Sequence, residues 1–356
     1  MTAIEELKGL GEENVEKLKE IGIDTIERLA TEDKQHLADV CEVKERETAK
    51  WITLARNRYE VSFITAKDKK AWLASLGRIS TGSKALDDVL KGININEEER
   101  KAAAGGILLQ SLTEMAGAYG SGKTQICFTL SVIAQLPIEQ GGMSGAVLYI
   151  DTESTFKTNR IEEIAKSRGL DPAKAIENIY IQDAPTSDEL VLTISNLGTA
   201  IEKFNAEHET KIKLIIVDSL MAPFRADYIG RGELAPRQQA MGRCLQELQR
   251  YAKKYDCAVV FTNQVVAIPD FIGMTIPAGG HTVAHKAQYR LFLRKSKENT
   301  RIVRVIDAPD IVEQDIVIKV SEKGVEDVPT RKERAEKVED VTPKVEKVED
   351  VTPKVE

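Results

Sequence analysis

An α/β fold with a mostly parallel central sheet, preceded by a small all-α domain, is predicted by three observations. From Gly77 to about Gly324, runs of β-branched and apolar residues alternate with helical patterns, the rhythm of strands joined by crossover helices. Within that region, residues 117–124 (GAYGSGKT) form a complete glycine-rich phosphate-loop pattern between a strand-like run at 111–115 and a helix-like run at 125–135. Residues 1–57 show only helical spacing: Val15, Leu18 and Ile21, then Ile26, Leu29 and Leu37 after Gly22.

Size and charge bound the function classes. The 356 residues allow two or three domains at roughly 100–200 residues each. The apolar runs, such as 146–150 and 214–217, are strand-sized and far short of the ~18 residues of a membrane span. The first ten residues carry acids and no apolar stretch of the kind a secretory leader needs, so a cytoplasmic protein with no membrane partner is expected. Cys41, Cys127, Cys244 and Cys257 form no C-x-x-C pair, which points to reduced thiols rather than a disulfide framework or a zinc site. The net charge is −7, so any nucleic-acid surface must be a local basic patch. Residues 225–250 hold Arg225, Arg231, Arg237, Arg243 and Arg250, while acids concentrate near the termini.

In chain order, residues 1–57 have the outline of a helix-hairpin-helix unit, with Gly9-Leu10-Gly11 opening a helix over 12–20. Glu12 and Glu13 satisfy that helix dipole themselves and repel phosphate, which favours packing or regulation over DNA contact. Residues 58–76 read as a linker carrying the isolated Phe63-Ile64-Thr65-Ala66 and an exposed charged run at 67–70. The α/β core spans 77–328, with strands expected at 146–150, 179–181, 213–217, 258–262, 289–293, 302–306 and 316–320; the last three follow closely and suggest an antiparallel extension. In the remaining 329–356, the decapeptide KVEDVTPKVE at 337–346 repeats perfectly at 347–356. Proline, alternating charges and no aromatics predict a disordered tail.

The phosphate loop specifies chemistry. Gly117, Gly120 and Gly122 let successive amides, with Ser121, point inward around phosphates. Lys123 brings positive charge to the outer phosphates, the Thr124 hydroxyl can hold Mg²⁺, and Gln125 follows in the helix. ATP or a close relative is therefore the expected ligand. The apolar run 214–217 ends in Asp218, the pattern of an acid that orients Mg²⁺ through water; a helix cap before Ser219 is the bland alternative. The run 147–150 ends in Asp151-Thr152-Glu153. Either acid can orient and deprotonate an attacking water, and strand alternation puts both on one side, so spacing does not choose. The run 258–262 leads to Asn263-Gln264, where Gln264 is either a sensor of the terminal phosphate or a polar strand-end cap.

Two segments leave these strand ends. Residues 265–283 combine Pro269, Gly273, Pro277, Gly279 and Gly280 with the apolar Phe271, Ile272, Met274 and Ile276, as a loop that wedges between bases would. His281 and His285 stand four apart without a third ligand nearby, so zinc is not expected. In 224–239, Arg225, Arg231 and Arg237 recur around Gly230 and Gly232; by themselves they read as a solvated charged loop or a phosphate-backbone track, and two such loops leaving strand ends beside one phosphate loop favour a ligand coupled to ATP.

The runs GRISTGSKALDDVL (77–90), GSGKTQ (120–125), FRADYIGRGELAPRQQ (224–239), TNQVVAIPD (262–270) and GGHTVAH (279–285) resemble archaeal RadA recombinases of the RecA superfamily. The resemblance covers roughly residues 1–328, is strongest from Gly77, and excludes the repeat tail. It implies a RecA-like ATPase core that binds ATP and Mg²⁺, assembles on single-stranded DNA, pairs it with double-stranded DNA and exchanges strands. It further implies Glu153 as the catalytic carboxylate, Lys123 and Thr124 on ATP and Mg²⁺, and Asp218 as the Walker B acid. Gln264 becomes the phosphate sensor leading into a second DNA loop with Phe271, Gly279 and Gly280. Arg225, Arg231 and Arg237 belong to the first DNA loop, Arg160 approaches adenine, and His281 faces the nucleotide interface. Phe63 and Ala66 match the Phe-x-x-Ala motif by which one copy holds the next in a filament or ring. The sequence departs from the family at Phe156-Lys157-Thr158-Asn159-Arg160, where Phe-Arg-Pro-Glu-Arg is usual, at Ile276-Pro277-Ala278 and at Val312-Glu313.

Overall fold

The computed structural model describes residues 2–32, 34–59, 63–92, 104–267 and 275–329. Pro269, Phe271, Ile272, Gly273 and Met274 of the second segment and the repeat tail at 337–356 lie outside the described residues.

Among the described residues the N-terminal part holds the α-helices α1 (Glu12–Glu20), α2 (Ile26–Thr31), α3 (Lys34–Val40) and α4 (Glu45–Arg58), after a 3-10 turn at Ile4–Glu6. Gly11, at φ +83°, caps α1, and the Thr25 side chain caps α2 by accepting from the Arg28 amide at 3.3 Å. Ile4, Leu18, Ile26, Leu29, Leu37, Trp51 and Ala55 bury a cluster of their own, separate from those of the α/β part. Charged pairs tie this part to the rest: Lys254 bridges Asp24 and Glu202, and Arg28 lies 3.6 Å from Glu247.

The stretch read as linker contains a helix, α5 (Ala66–Ser75), because Thr65 caps it by accepting from the Asp68 amide at 3.1 Å. No residue of α5 is buried; Lys69 Nζ sits 3.5 Å above the Trp72 ring centre, and Phe63 just before it is 93% exposed.

In the α/β part, β1 (Arg78–Ile79) pairs with β2 (Ile107–Leu108) beside α6 (Lys84–Leu90). The main elements follow as β3 (Leu112–Gly117), α7 (Lys123–Ile133), β4 (Ala146–Asp151), α8 (Thr158–Ser167), α9 (Pro172–Glu177), β5 (Ile179–Asp183), α10 (Ser187–Glu207) and β6 (Ile212–Asp218). Next come α11 (Met221–Asp227), α12 (Leu234–Lys254), β7 (Ala258–Asn263), the short pair β8 (Val265–Ala267) and β9 (Thr275–Pro277), and α13 (Gly280–Lys286). The chain closes with β10 (Tyr289–Lys295), β11 (Thr300–Asp307), β12 (Asp315–Ser321) and β13 (Gly324–Asp327). The principal sheet has the order β13-β12-β11-β10-β3-β7-β6-β4-β5 and is parallel from β10 to β5. The fold is therefore the mixed α/β architecture with a large, mostly parallel sheet. One expectation is refined: β10 runs parallel to β3, and the antiparallel extension begins with β11.

The central strands are mostly apolar because both faces are covered. On β6, Leu214 and Ile216 join the cluster under α7 and α8, while Ile215 and Val217 join the cluster under α10 and α12. The last strand reaches back to α7. The Val325 amide donates to Thr129 Oγ1 at 3.0 Å, Ser83 Oγ to Asp327 at 2.5 Å, and Arg168 to the carbonyls of Lys323 and Val325 at 2.9 and 2.7 Å. The C-terminal ends of β3, β7, β6 and β4 thus lie side by side, the usual place for a ligand in such a sheet.

Candidate active site

The phosphate loop begins where β3 ends. A Cβ on Gly117 would stand 2.5 Å from the Leu293 carbonyl and 2.6 Å from Ser121 Oγ, so no side chain fits there. Gly120 and Gly122 hold φ of +73° and +101°, a region that strains other residues. Gly122 caps α7 without a side-chain hydrogen bond, which leaves first-turn amides for an anion. Lys123 Nζ donates to the carbonyls of Gly117 and Ala118 at 2.9 and 3.2 Å. Burial holds its ammonium below the ordinary lysine value, against the pull of Asp218 and Glu153. The Ser121 hydroxyl is buried with no partner. A left-handed glycine cradle, an unpartnered buried hydroxyl, a lysine and an uncapped helix start fit the phosphates of a nucleotide. Thr124 and Asp218 are hard oxygen donors of the kind Mg²⁺ takes while keeping several waters. Among the described residues no group of three or more His, Cys, Asp or Glu could hold a metal alone, so a cation here would share its shell with phosphate and water.

Asp218 ends β6 and is 4% exposed. Its Oδ2 accepts from the Tyr149 hydroxyl at 2.8 Å and its Oδ1 from the Thr262 hydroxyl at 2.5 Å. Burial, with Asp218 alongside, pushes the Tyr149 phenol well above its ordinary value, so it stays a donor.

The two acids after β4 have different surroundings. β4 stops at Asp151, so strand alternation does not carry on to Glu153. The Asp151 carboxylate is buried and accepts from the amides of Glu153 (3.1 Å) and Phe156 (2.8 Å), folding the turn beneath it. Glu153 Oε1 accepts from Ser219 Oγ at 2.7 Å and from Gln264 Nε2 at 3.3 Å. Gln264 Oε1 in turn accepts from Arg225 Nη1 at 3.0 Å. Ser219, Glu153, Gln264 and Arg225 therefore form one hydrogen-bonded chain from the end of β6 to the start of the arginine segment.

Arg160 Nε donates to Gln125 Oε1 at 2.9 Å, and its guanidinium also meets Glu163 and the Ser321 carbonyl. An open pocket of about 600 Å³ lies beside it, lined by residues 156–160 and Glu163. Of the arginine segment, Arg225 is on α11, Arg231 begins a short 3-10 turn, and Arg237 is on α12 with Nε buried and unpartnered. Of these, the structure links Arg225 to Gln264. Gly279 and Gly280, at φ +91° and +57°, start α13, and Gln238 Nε2 donates to the Gly279 carbonyl at 3.3 Å, joining the two segments. His281 and His285 are exposed on α13, their rings stacked 5.7 Å apart. Phe63, just before α5, and Ala66, its first residue, are exposed.

Sequence reasoning missed the residues that brace this site. Tyr149, Ser219 and Thr262 sit in or just after apolar runs and read as filler. Glu114 gave a stronger signal: an acid inside a wholly buried strand requires a partner. Its partners are Arg290 at 2.6 Å and Asn263 Nδ2 at 2.5 Å; Asn263 Nδ2 also donates to the Ala278 carbonyl at 2.8 Å, pinning the end of the second segment. Among the described residues, no helix is long and apolar enough to cross a membrane. A family model described as Rad51 matches residues 74–328.

Proposed function

The chain belongs to the Rad51 family of RecA-type recombinases, and on that premise we propose that it is an ATP-driven strand-exchange protein of the archaeal RadA kind. It coats single-stranded DNA, pairs it with a homologous duplex and exchanges strands in recombination and repair, hydrolysing ATP in the process. The observation that carries this reading is the chain Ser219–Glu153–Gln264–Arg225, which joins the acid beside the phosphate loop to the first of the spaced arginines.

In this reading the glycine cradle and the first amides of α7 bind the phosphates, and Lys123 exchanges its loop carbonyls for phosphate oxygens. Thr124 and Asp218 would supply the protein-side oxygens for Mg²⁺, which when bound would neutralise phosphate charge. Glu153 takes a proton from the attacking water on the carboxylate that Ser219 holds in place. Gln264 lies within reach of both Glu153 and Arg225, so a change of its partner at the terminal phosphate alters the hold on Arg225. Arg160 is the adenine-side residue, beside the open pocket. Arg225, Arg231 and Arg237 bind the DNA backbone, and Phe271, Gly279 and Gly280 form the second DNA segment. Phe63 and Ala66 engage the next copy in a filament or ring, with His281 at the nucleotide interface between copies.

The test is ATP hydrolysis with and without single-stranded DNA, for the parent and Lys123→Ala side by side. Stimulation by DNA that disappears in Lys123→Ala is expected. Hydrolysis indifferent to DNA in the parent would break the proposed coupling.

A further inference from the structure

Both oxygens of the Asp218 carboxylate are occupied by hydroxyl groups to which the proposed reaction gives no role. They come from the two strands that flank β6: Tyr149 from β4 at 2.8 Å on Oδ2, and Thr262 from β7 at 2.5 Å on Oδ1. Tyr149 and Thr262 are fully buried, so solvent does not compete for either hydrogen bond. A carboxylate gripped on both oxygens cannot turn about its Cβ–Cγ bond without breaking a buried hydrogen bond. Each oxygen keeps a further lone pair for another donor, such as a metal-bound water.

Packing alone does not account for these hydroxyls. The Tyr149 ring meets Phe156 edge-on at 4.9 Å between centres and Phe128 at 6.0 Å, contacts that a phenylalanine would make equally well. At 262 a valine of the same shape would suit a buried β-strand position. A phenol and an alcohol in these two places are accounted for by the acid between them.

We propose that Tyr149 and Thr262 are positioning residues that fix the carboxylate plane of Asp218, so that its remaining lone pairs meet the waters of Mg²⁺ carried by the nucleotide. This rests on the reading of Asp218 as a metal-orienting acid, and it adds a specific source for the order of that acid. The hydroxyls act through Asp218 and touch neither nucleotide nor metal.

The experiment titrates Mg²⁺ against the full chain with a fluorescent, non-hydrolysable ATP analogue, reading nucleotide binding directly, with a thermal melt of each variant. Tyr149→Phe and Thr262→Val are each expected to raise the Mg²⁺ concentration for half-maximal binding about three- to tenfold, the size of the net contribution of one ordinary hydrogen bond. Binding at saturating Mg²⁺ falls far less. Thr262→Ser, which keeps a hydroxyl, moves the midpoint back toward the parent. A lowered melting temperature with an unmoved Mg²⁺ midpoint in both Tyr149→Phe and Thr262→Val would overturn the proposal and leave the hydroxyls structural. Asp218→Asn separates the two levels. If it too leaves the midpoint unmoved, the metal reading of Asp218 fails, whereas a shift in Asp218→Asn alone sinks only the positioning role.

Discussion

Arg290→Met is expected to destabilise the α/β part through the charge it strands. Glu114 lies in β3, where every residue is buried, and is itself 0% exposed. Arg290 stands opposite it in the parallel register of β10 and donates to Oε2 at 2.6 Å. Methionine preserves the length of the arginine stem and removes the charge, leaving Glu114 with Asn263 at 2.5 Å. Removing one partner of a buried ion pair costs about 3–5 kcal/mol. The surviving Asn263 bond places this case near ~3 kcal/mol. For a unit of this size, at about 2–4 °C per kcal/mol, the melting temperature falls by roughly 6–12 °C. Scanning calorimetry of the nucleotide-free protein reads this directly. Adding Glu114→Gln to Arg290→Met removes the stranded charge while keeping an acceptor for Asn263, and stability should return to within about 1 kcal/mol of the parent. If the double variant melts as low as the single one, the uncompensated charge is not the cause and the reasoning fails.

Glu153→Gln keeps nucleotide binding and lowers hydrolysis about 10²–10⁴-fold, the range for loss of a general base; single-turnover hydrolysis beside analogue binding checks it, and an unchanged rate would return the choice to Asp151. Lys123→Met tests a pH dependence whose sign follows from burial, which holds this lysine below its ordinary value while Asp218 and Glu153 oppose. Between the folded and unfolded values the unfolded chain binds more protons, so stability rises with pH there and the buried ammonium is a cost below that window. The variant should accordingly melt no lower than the parent near neutral pH, with the difference shrinking as pH climbs toward the ordinary lysine value; a clear loss of stability at neutral pH contradicts this. Arg225→Ala should weaken single-stranded DNA binding and reduce the salt slope by about 0.7, one phosphate contact. It should also alter basal hydrolysis, because Gln264 loses one of its two partners, and filter binding at several salt concentrations with an ATPase assay separates the effects. Phe63→Ala should weaken self-association about 10- to 150-fold, the loss of roughly 1.5–3 kcal/mol of buried side chain; light scattering over a dilution series decides, and an unaltered assembly removes Phe63 from the interface.

Much of the site was legible because it depends on local pattern. Strands buried on both faces must be continuous apolar runs, and β4, β6 and β7 stand out as such. A loop of left-handed glycines needs glycine at fixed places, so 117–124 announced itself. The choice between Asp151 and Glu153 was not legible, because it turns on the residue at which β4 ends and on which side chain folds the next turn. The hold on Asp218 was hidden for another reason: Tyr149 and Thr262 lie 69 and 44 residues from it and meet it through sheet order alone. β10 likewise takes its direction from β3, 176 residues earlier, which no short stretch encodes. Helix α5 was missed for lack of an apolar face, though Thr65 and Asp68 offered a cap. Strands of two or three residues, such as β1, β2, β8 and β9, are too short to display a period.

The contact of Val325 with Thr129 also sets the order in which the molecule can be completed as it is made. The two residues are 196 positions apart. At a synthesis rate of about 5–20 residues per second, the phosphate-loop helix waits roughly 10–40 s after its own emergence for its last neighbour. During that interval its flank toward β13 is uncovered, and the partner of β3 on the β10 side has yet to arrive for most of it. Long-range pairing of this kind slows folding and leaves apolar surface open to wrong partners. The nascent chain thus makes its most chemically committed segment early and finishes it late, so chaperone demand should concentrate on chains that have passed α7 but lack β13.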